Sequence, residues 1–541
     1  MNLLNLPRLL KPLLPGALCL LLAACLPAAA NRSGSGASPW VLPAEPPPPR
    51  TGIRMETPPQ ETAPRTGPLK ISLEGAVLLS LENNRSLEVE RLNPEIQQTL
   101  ALQERGAFDP VTEAELSYQR ADTRRQTQTE AGSQRYDLDT FQGAISLRQF
   151  FPSGTSVELE GASTTADSSL YSDPLTTTRL GLSVSQALLR GYGPGANLAR
   201  LRQTELETRI SAYELRGFSQ TLVARVEEAY WDYALARRQV EIVEESLKVA
   251  NQQLVETEQM IQVGSMAEAE LAAVQAEVAS QQQSLINARS SLANSRLLLL
   301  RLLNPPGEGL WEREVGLVHQ PTIPEVKLDP VADHVAVALR MRPEINQTKL
   351  EIQKGDLEIV RTRNGLLPRL DLFLTLGKTG YSDSFGGSLS DLTGHGYDLS
   401  VGLGFQYPLF NRAAKAGHQR ALLQREQAEK ALANLSQLVE LDVRTAYIEV
   451  ERTKEQITAS TATRKFQEEK LRIEQEKFRV GRSTSFLVSQ AQRDLLASRI
   501  SEVQSVANYL KALIDLYRLD GSLLIRRSIS APGSEPVQEA P

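Results

Sequence analysis

The stretch LVARVEEAYWDYALARRQVEIVEESLKVANQQL, residues 222–254, decides the fold. Small or apolar residues recur at Leu222, Val226, Ala229, Tyr233, Ala236, Val240, Val243, Leu247, Ala250 and Leu254, in alternating steps of four and three. That is a heptad seam, the mark of a helix packed along its length against another. After Gly264 the pattern restarts at Leu271, Val274, Val278, Leu285, Ala288 and Leu292. It ends at Leu299 and Leu302, before Asn304-Pro305-Pro306 stops the helix. The reading is a long antiparallel helical hairpin whose outgoing arm, counted from Ala196 to Gln262, predicts a rod of about 100 Å. Alanine on the seam permits close helix approach, while Gln, Glu, Arg and Ser fill the other faces. Those faces suit a solvated exterior or the lining of a water-filled interior equally well.

The hairpin is written twice. Val226-Glu-Glu-Ala229-Tyr230 answers to Val443-Arg-Thr-Ala446-Tyr447 and Val263-Gly264 to Val480-Gly481, both at an offset of 217. Gln186-Ala-Leu-Leu189 answers to Gln406-Tyr-Pro-Leu409, and Phe108-Asp-Pro110 to Leu367-Pro368, at offsets of 220 and 258. The drift places insertions before the long helices. The second seam runs through Val439, Val443, Ala446, Val450 and Ile457, then Leu495, Tyr509, Ala512 and Leu516, and is more polar around Ser460 and Arg464. The chain therefore divides into two repeats, 70–304 and 331–521, joined by a Pro- and Gly-bearing segment at 305–330, with residues 522–541 expected to be a disordered tail.

Before each hairpin the period falls to two. Leu370, Leu372, Leu374 and Leu376 alternate with Asp371, Phe373 and Thr375. Tyr397, Leu399, Val401, Leu403 and Phe405 alternate with Asp398, Ser400, Gly402 and Gly404. In the first repeat Ala114, Leu116 and Tyr118, then Leu180, Leu182 and Val184, make a comparable pair. One greasy and one polar face over this length suits a transmembrane β-strand; a half-buried soluble hairpin shows the same alternation. Residues 141–160, with Ile145, Leu147, Val157 and Leu159 around Pro152-Ser153-Gly154, read as an additional β-hairpin. It is expected as an extracellular or mouth-lining extension, with widening of a barrel as the other possibility.

Composition narrows the class. Of 541 residues, 59 are Lys or Arg and 65 Asp or Glu, a balance that argues against a nucleic-acid partner. Past the first thirty residues no apolar run approaches the roughly 20 needed for a spanning helix, which excludes an inner-membrane transporter. The only cysteines are Cys19 and Cys25. Arg8 and Lys11 precede an apolar stretch from Leu13 to Ala24, the layout of a secretory signal. Leu22-Ala23-Ala24-Cys25 resembles a bacterial lipoprotein box, which makes 1–25 a signal peptide and Cys25 an acylated N-terminus; ordinary cleavage after Ala28-Ala29-Ala30 is the alternative. Residues 26–69, with a proline run at 46–49, read as a stiff linker. The histidines, His319, His334, His395 and His418, are dispersed, and no phosphate loop precedes a helix, so no enzyme, metal or cofactor is expected.

In its duplication, its strand-then-hairpin order, its corners at Leu188-Leu189-Arg190-Gly191 and Pro408-Leu409-Phe410-Asn411, and its tips at Gln262-Val263-Gly264-Ser265 and Arg479-Val480-Gly481-Arg482, the chain resembles the TolC-type outer-membrane factor family over residues 70–525. The resemblance implies an α+β membrane protein: a homotrimer in which each chain gives four strands to one shared twelve-stranded barrel in the outer membrane. The long antiparallel coiled-coil hairpins continue it as a periplasmic tunnel. It also implies an exit duct of a tripartite efflux pump or type I secretion system, working with a periplasmic adaptor and an inner-membrane pump. The competing reading is a lipid-anchored periplasmic coiled-coil adaptor or scaffold, but an adaptor has one such hairpin and this chain has two.

Gly264 and Gly481 sit where a long helix must reverse, a need that turn chemistry alone explains. The resemblance adds that the tips, Val263, Gly264, Ser265, Val480, Gly481 and Arg482, meet the adaptor and frame the periplasmic aperture. Family members carry aspartates six and nine positions after the second glycine; here those positions are Leu487 and Gln490, so an acidic ring is not expected. Glu270 holds the corresponding place in the first repeat. Arg482 lies close to the family's aperture-locking arginine, and an ion pair between Glu270 and Arg482 is expected as a closed-state latch.

Overall fold

The two heptad seams form two helical hairpins in the computed structural model, which describes residues 54–55, 68–126, 133–169, 172–318 and 328–537. Cys25, the leader and most of the expected linker lie outside the described residues. The chain opens with β1 (Arg54–Met55), β2 (Leu69–Ile71), α1 (Leu73–Asn83) and α2 (Arg85–Arg105). Four strands follow: β3 (Val111–Gln126), β4 (Ser133–Phe150), β5 (Thr155–Ser168) and β6 (Leu175–Ala187). A short α3 (Pro194–Asn197) leads into α4 (Ala199–Gln262), α5 (Ala269–Leu303) and β7 (Val315–Leu317). The second half runs α6 (Val331–Met341), α7 (Pro343–Gly365), β8 (Arg369–Ser382), α8 (Phe385–Asp391), β9 (Tyr397–Gln406), α9 (Arg412–Arg479) and α10 (Ser485–Leu519). It ends with α11 (Leu523–Arg526) and β10 (Ile529–Ser530).

The outgoing arms α4 and α9 have 64 and 68 residues, and the returning arms α5 and α10 have 35 each. Every apolar position named for the second seam, from Val439 to Leu516, is buried, as is Ser460, while Arg464 is half-buried. In the first, Leu222 to Val243 and Ala250 are buried while Leu247 and Leu254, nearer the tip, are half-buried. Asn304 ends α5 in the left-handed conformation, φ 44°, where the Asn-Pro-Pro stop was expected. An arm twice as long as its return needs other partners, and α2 and α7 supply them: at the sheet end α2, α4, α7 and α9 pack side by side in that order.

Around the middle, one core unites β2, α1, α4, α5, α10 and α11 through Leu69, Ala76, Leu222, Val226, Tyr230, Leu299, Leu510 and Leu523. β2 pairs with β7 in parallel, stitching the segment after the first hairpin to the start of the fold. Here the expectation of a disordered tail is corrected. Leu523, Leu524, Ile529, Ala531 and Val537 are buried, β10 pairs with β1 inside the expected linker, and Arg527 grips Glu227 of α4 with two hydrogen bonds of 2.6 and 2.7 Å. Burying those side chains supplies the driving force that the polar composition of the tail concealed.

The strands form a single antiparallel sheet in the order β3-β4-β5-β6-β8-β9. Four strands per chain were expected; the sheet has six. The extra pair is β4 and β5, inserted between β3 and β6 and hydrogen-bonded along its whole length. Its turn lies at the helix end of the sheet, so it is not an extension beyond the far rim. The Ala187 amide donates to the Gly154 carbonyl at 2.9 Å, the Gly193 amide to the Ser153 carbonyl at 3.1 Å, and the Asn197 side chain to the Pro152 carbonyl at 2.9 Å. Gly154 has φ 86°, and a Cβ there would stand 2.1 Å from the Gly191 carbonyl oxygen, so only glycine fits between turn and corner.

Candidate functional site

Two parts of the molecule carry chemistry that the fold alone does not need: the faces of the sheet and the tips of the hairpins. Pairing register decides the faces, because residues opposite one another share a side. One ladder row reads Thr112, Leu147, Leu159, Leu182, Leu376 and Leu399 from β3 to β9. On the same side lie Leu116 and Tyr118 of β3, Ile145 of β4, Val157 of β5, Leu180 and Val184 of β6, Leu372 and Leu374 of β8, and Val401, Leu403 and Phe405 of β9. Most are exposed, Leu116 by 68% and Phe405 by 69%. An uncovered apolar face this wide marks an interaction surface. The opposite side carries Glu113, Glu115, Gln142, Ser146, Glu158, Glu160, Ser183, Thr375 and Ser400. Ion pairs cross it from Arg148 to Glu158 at 2.8 Å and from Arg179 to Asp398 at 2.7 Å. Its apolar members are few, among them Val111, Phe150, Leu175 and Phe373; Phe373 lies over Gly402, where an added Cβ would meet the ring at 2.3 Å.

At the tips the two reversals are built alike. The Ser265 amide donates to the Met260 carbonyl at 2.9 Å and the Gly264 amide to Ile261 at 2.9 Å. The Arg482 amide donates to Lys477 at 2.8 Å and the Gly481 amide to Phe478 at 3.0 Å. Both are Schellman caps, which satisfy the last carbonyls of each arm and require a left-handed residue after the cap. Gly264 and Gly481 take that place at φ 73° and 74°, with nothing crowding either. Val263 and Val480 stand 78% and 68% exposed beside them. With Phe486 and Leu487 they make the tips apolar outside as well as capped inside.

The latch between Glu270 and Arg482 is not formed within the chain. Glu270 accepts from the Ser485 amide at 3.1 Å and from its hydroxyl. Ser485 is the first residue of α10, so Glu270 of one hairpin caps the second arm of the other, where the free amides of the helix start attract a carboxylate. A backbone donor already fixed in place wins over a flexible surface cation. Arg482 is exposed and makes no ion pair among the described residues. Leu487 is exposed, and Gln490 is tied to its own helix, donating to Asp494 at 2.9 Å and accepting from Arg493 at 2.8 Å.

Residues absent from the sequence reading hold the hairpins together. Two turns above Glu270, Glu277 is 2% exposed and receives Arg493 of α10 at 2.5 Å and the Gln281 amide at 2.7 Å. Gln492 donates to Gln253 of α4 at 2.5 Å. The available signal was the seven-residue spacing of Glu270 and Glu277, which puts both on one face of α5. Within the second hairpin Lys470 binds Asp494 at 2.7 Å, and this hydrogen bond, with a smaller one from Gln490, holds the Asp494 carboxyl below its ordinary range. Glu474 is likewise held low by Lys477 and by the Ser483 hydroxyl at 2.8 Å, fastening the tip to its own arm. Among the described residues no group of His, Cys, Asp and Glu is arranged to hold a metal, and no helix is long and apolar enough to cross a membrane.

Comparisons with known proteins follow the same outline. No curated protein sequence matches the chain. Among solved structures, the chain is similar to CusC, for which conformational changes accompanying folding and transmembrane channel formation are described, with a TM-score of 0.63 at 17% identity over 90% of this chain and 99% of that one. The CmeC outer membrane channel of Campylobacter jejuni gives 0.62 at 16% identity over 83% and 86%. The open MtrE outer membrane channel of Neisseria gonorrhoeae gives 0.60 at 18% over 88% and 98%. The TM-scores show a shared fold, and at these identities the fold alone. The family profile "Outer membrane efflux protein" matches residues 77–305 and 335–522, most of the two repeats, and the chain belongs to that family.

Proposed function

We propose that the protein is a passive outer-membrane exit duct that conducts substrate for a tripartite efflux pump or type I secretion system. The observation that carries this reading is the two-faced sheet. A sheet with one continuous apolar face and one polar, ion-paired face suits a wall between lipid and water. Its two free edges, β3 and β9, carry unpaired backbone groups that lipid does not tolerate, so identical chains must join edge to edge. The homotrimer fits this need, with the polar faces inward and the four packed helices of each chain continuing the wall into the periplasm.

Conduction through such a pore uses no catalytic residue, and the driving energy comes from an inner-membrane pump. The exposed apolar tips around Val263 and Val480 are the contact for a periplasmic adaptor, with Gly264, Ser265, Gly481 and Arg482 shaping the turn. Glu270, Arg482, Leu487 and Gln490 surround the periplasmic aperture, and acylation of Cys25 gives a second hold on the membrane. Reconstitution of the full chain in planar bilayers tests the reading: unitary currents from a trimeric, detergent-extracted particle are expected, and a water-soluble single subunit without current would overturn it. The double variant Val263→Asp with Val480→Asp should keep its conductance and lose adaptor capture; retained capture would remove the tips from the interface.

A further inference from the structure

We propose that β4 and β5 are part of the membrane wall itself, so that each chain contributes six strands and three chains close, β3 of one against β9 of the next, into an eighteen-stranded barrel. The inference rests on the trimeric reading above and departs from the twelve strands that the family resemblance implies.

Three observations carry it. First, the apolar band does not skip the inserted pair. Phe141, Ile145 and Leu147 of β4 and Val157 and Leu159 of β5 share the face of Leu182 and Leu399, while Ser146, Arg148, Glu158 and Glu160 share the polar face. A hairpin folded away from lipid has no need of that alternation.

Second, the band is oblique. Along the row through Thr112 and Leu399, the apolar residues of β3 lie on its far side, at Ala114, Leu116 and Tyr118, whereas those of β9 run from Tyr397 just beyond it, through Leu399, to Val401, Leu403 and Phe405 on its helix side, so that their centre lies on the helix side. Between them the band lies mostly on the far side in β4 (Phe141, Ile145, Leu147), close to the row in β5 (Val157, Leu159) and β6 (Leu180, Leu182, Val184), and on the helix side in β8 (Leu376 back to Leu370). A slide of roughly six residues of about 3.4 Å over five strand spacings of about 4.8 Å is an inclination of about 40°. That is the tilt of strands in a closed membrane barrel, and it comes out only if β4 and β5 are counted as steps in the wall.

Third, the circumferences agree. Four helices per chain reach the sheet, and a ring of twelve at about 8–10 Å spacing measures about 96–120 Å. Eighteen strands tilted by about 40° measure about 113 Å, against about 75 Å for twelve. The wider wall meets the helical tunnel without a step. The backbone radius rises from about 12 Å to about 18 Å, the range in which barrels enclose an open aqueous channel. The turn of the inserted hairpin is locked to the sheet–helix corner through Gly154, Gly191 and Asn197, so the widening is built in at the rim where the two walls join.

The test uses the full chain in lipid vesicles, first shown to be trimeric and conducting. Beyond Cys25 the chain contains no cysteine, so single substitutions report cleanly against the parent. Ser146→Cys and Glu158→Cys should react with a charged maleimide, while reaction is lost at Leu147→Cys and Leu159→Cys. Ser183→Cys and Leu182→Cys on β6 calibrate the two faces. If an outward variant fails to assemble, Ile145→Cys and Val157→Cys lie on the same face, and a cryo-EM strand count of the unaltered particle needs no variant. Eighteen strands with alternating protection support the proposal. Twelve strands, or equal reaction at all four hairpin positions in a conducting trimer, overturn it and leave the exit-duct reading intact. A particle that neither trimerises nor conducts overturns both.

Discussion

The waist and the tips of this molecule are made from the same heptad seams and end in opposite states. At the waist, strands, short helices and the returning C-terminal segment cover α4 and α10 and bury polar groups between them: Glu227 is 0% exposed with Arg527 as its partner, and His334 meets Asp520 at 2.8 Å between buried side chains. The contact with Glu227 raises the Arg527 guanidinium above its ordinary value. At the tips the seams lose their cover, Leu247 and Leu254 become half-buried, valines face outward, and the hairpins are joined by a few polar contacts. Removing a buried partner strands a charge, whereas removing an exposed one returns it to water. The waist is thus the more fully covered of the two, and at the tips the pair of Arg493 with buried Glu277 is a contact of the same kind.

The comparison is sharpest if broken at the waist. Arg527→Ala leaves Glu227 buried without its partner and should destabilise the protein by about 3–5 kcal/mol. Thermal unfolding of the purified protein measures it, and a near-silent variant would mean that the waist is not the stable element.

Next comes the join between hairpins. Arg493→Ala removes the partner of buried Glu277, an expected loss of about 1–3 kcal/mol. It should appear as faster amide exchange confined to α5 and α10 near the tips, and acceleration that reached the waist would erase the distinction. Gly264→Ala and Gly481→Ala meet no steric obstacle, so only the left-handed backbone resists them, at about 1–2 kcal/mol each. Local exchange at the caps, with an unchanged melting transition, is the expected readout.

The smallest effect concerns pH. Asp494 has its carboxyl depressed below the ordinary 3.8 by Lys470. Its contribution is therefore complete above that value and lost as pH falls through the folded value. Acid titration followed by NMR at the tips should show the pair releasing below pH 3.8, and Lys470→Met should move the midpoint upward, towards the ordinary value. A midpoint unmoved by that change would discard the pair as the cause.

Local pattern made the helices and caps legible. The steps of four and three in 222–254 gave the seam, Asn304-Pro305-Pro306 gave its end, and two glycines gave the reversals, because each signal acts within one or two turns of chain. The tip contacts were less legible. Glu270 was identified, but its partner is Ser485 and not Arg482, since the choice depends on which group the second hairpin brings within 3.1 Å. The tail after 521 was misread for a related reason: a short polar segment shows no periodicity, and its burial comes from a groove that exists only after the waist has formed.

By itself the sequence determined the elements. Alternation at two residues fixes which side of a strand is apolar, and recurrence at three and four fixes the stripe of a helix, because both follow from backbone geometry alone. Tertiary structure decided how many strands share the sheet, that β4 and β5 lie inside it, and which carboxylate meets which cation. Those depend on pairing between residues far apart in the chain, and register and reach come into being only when the elements are laid side by side.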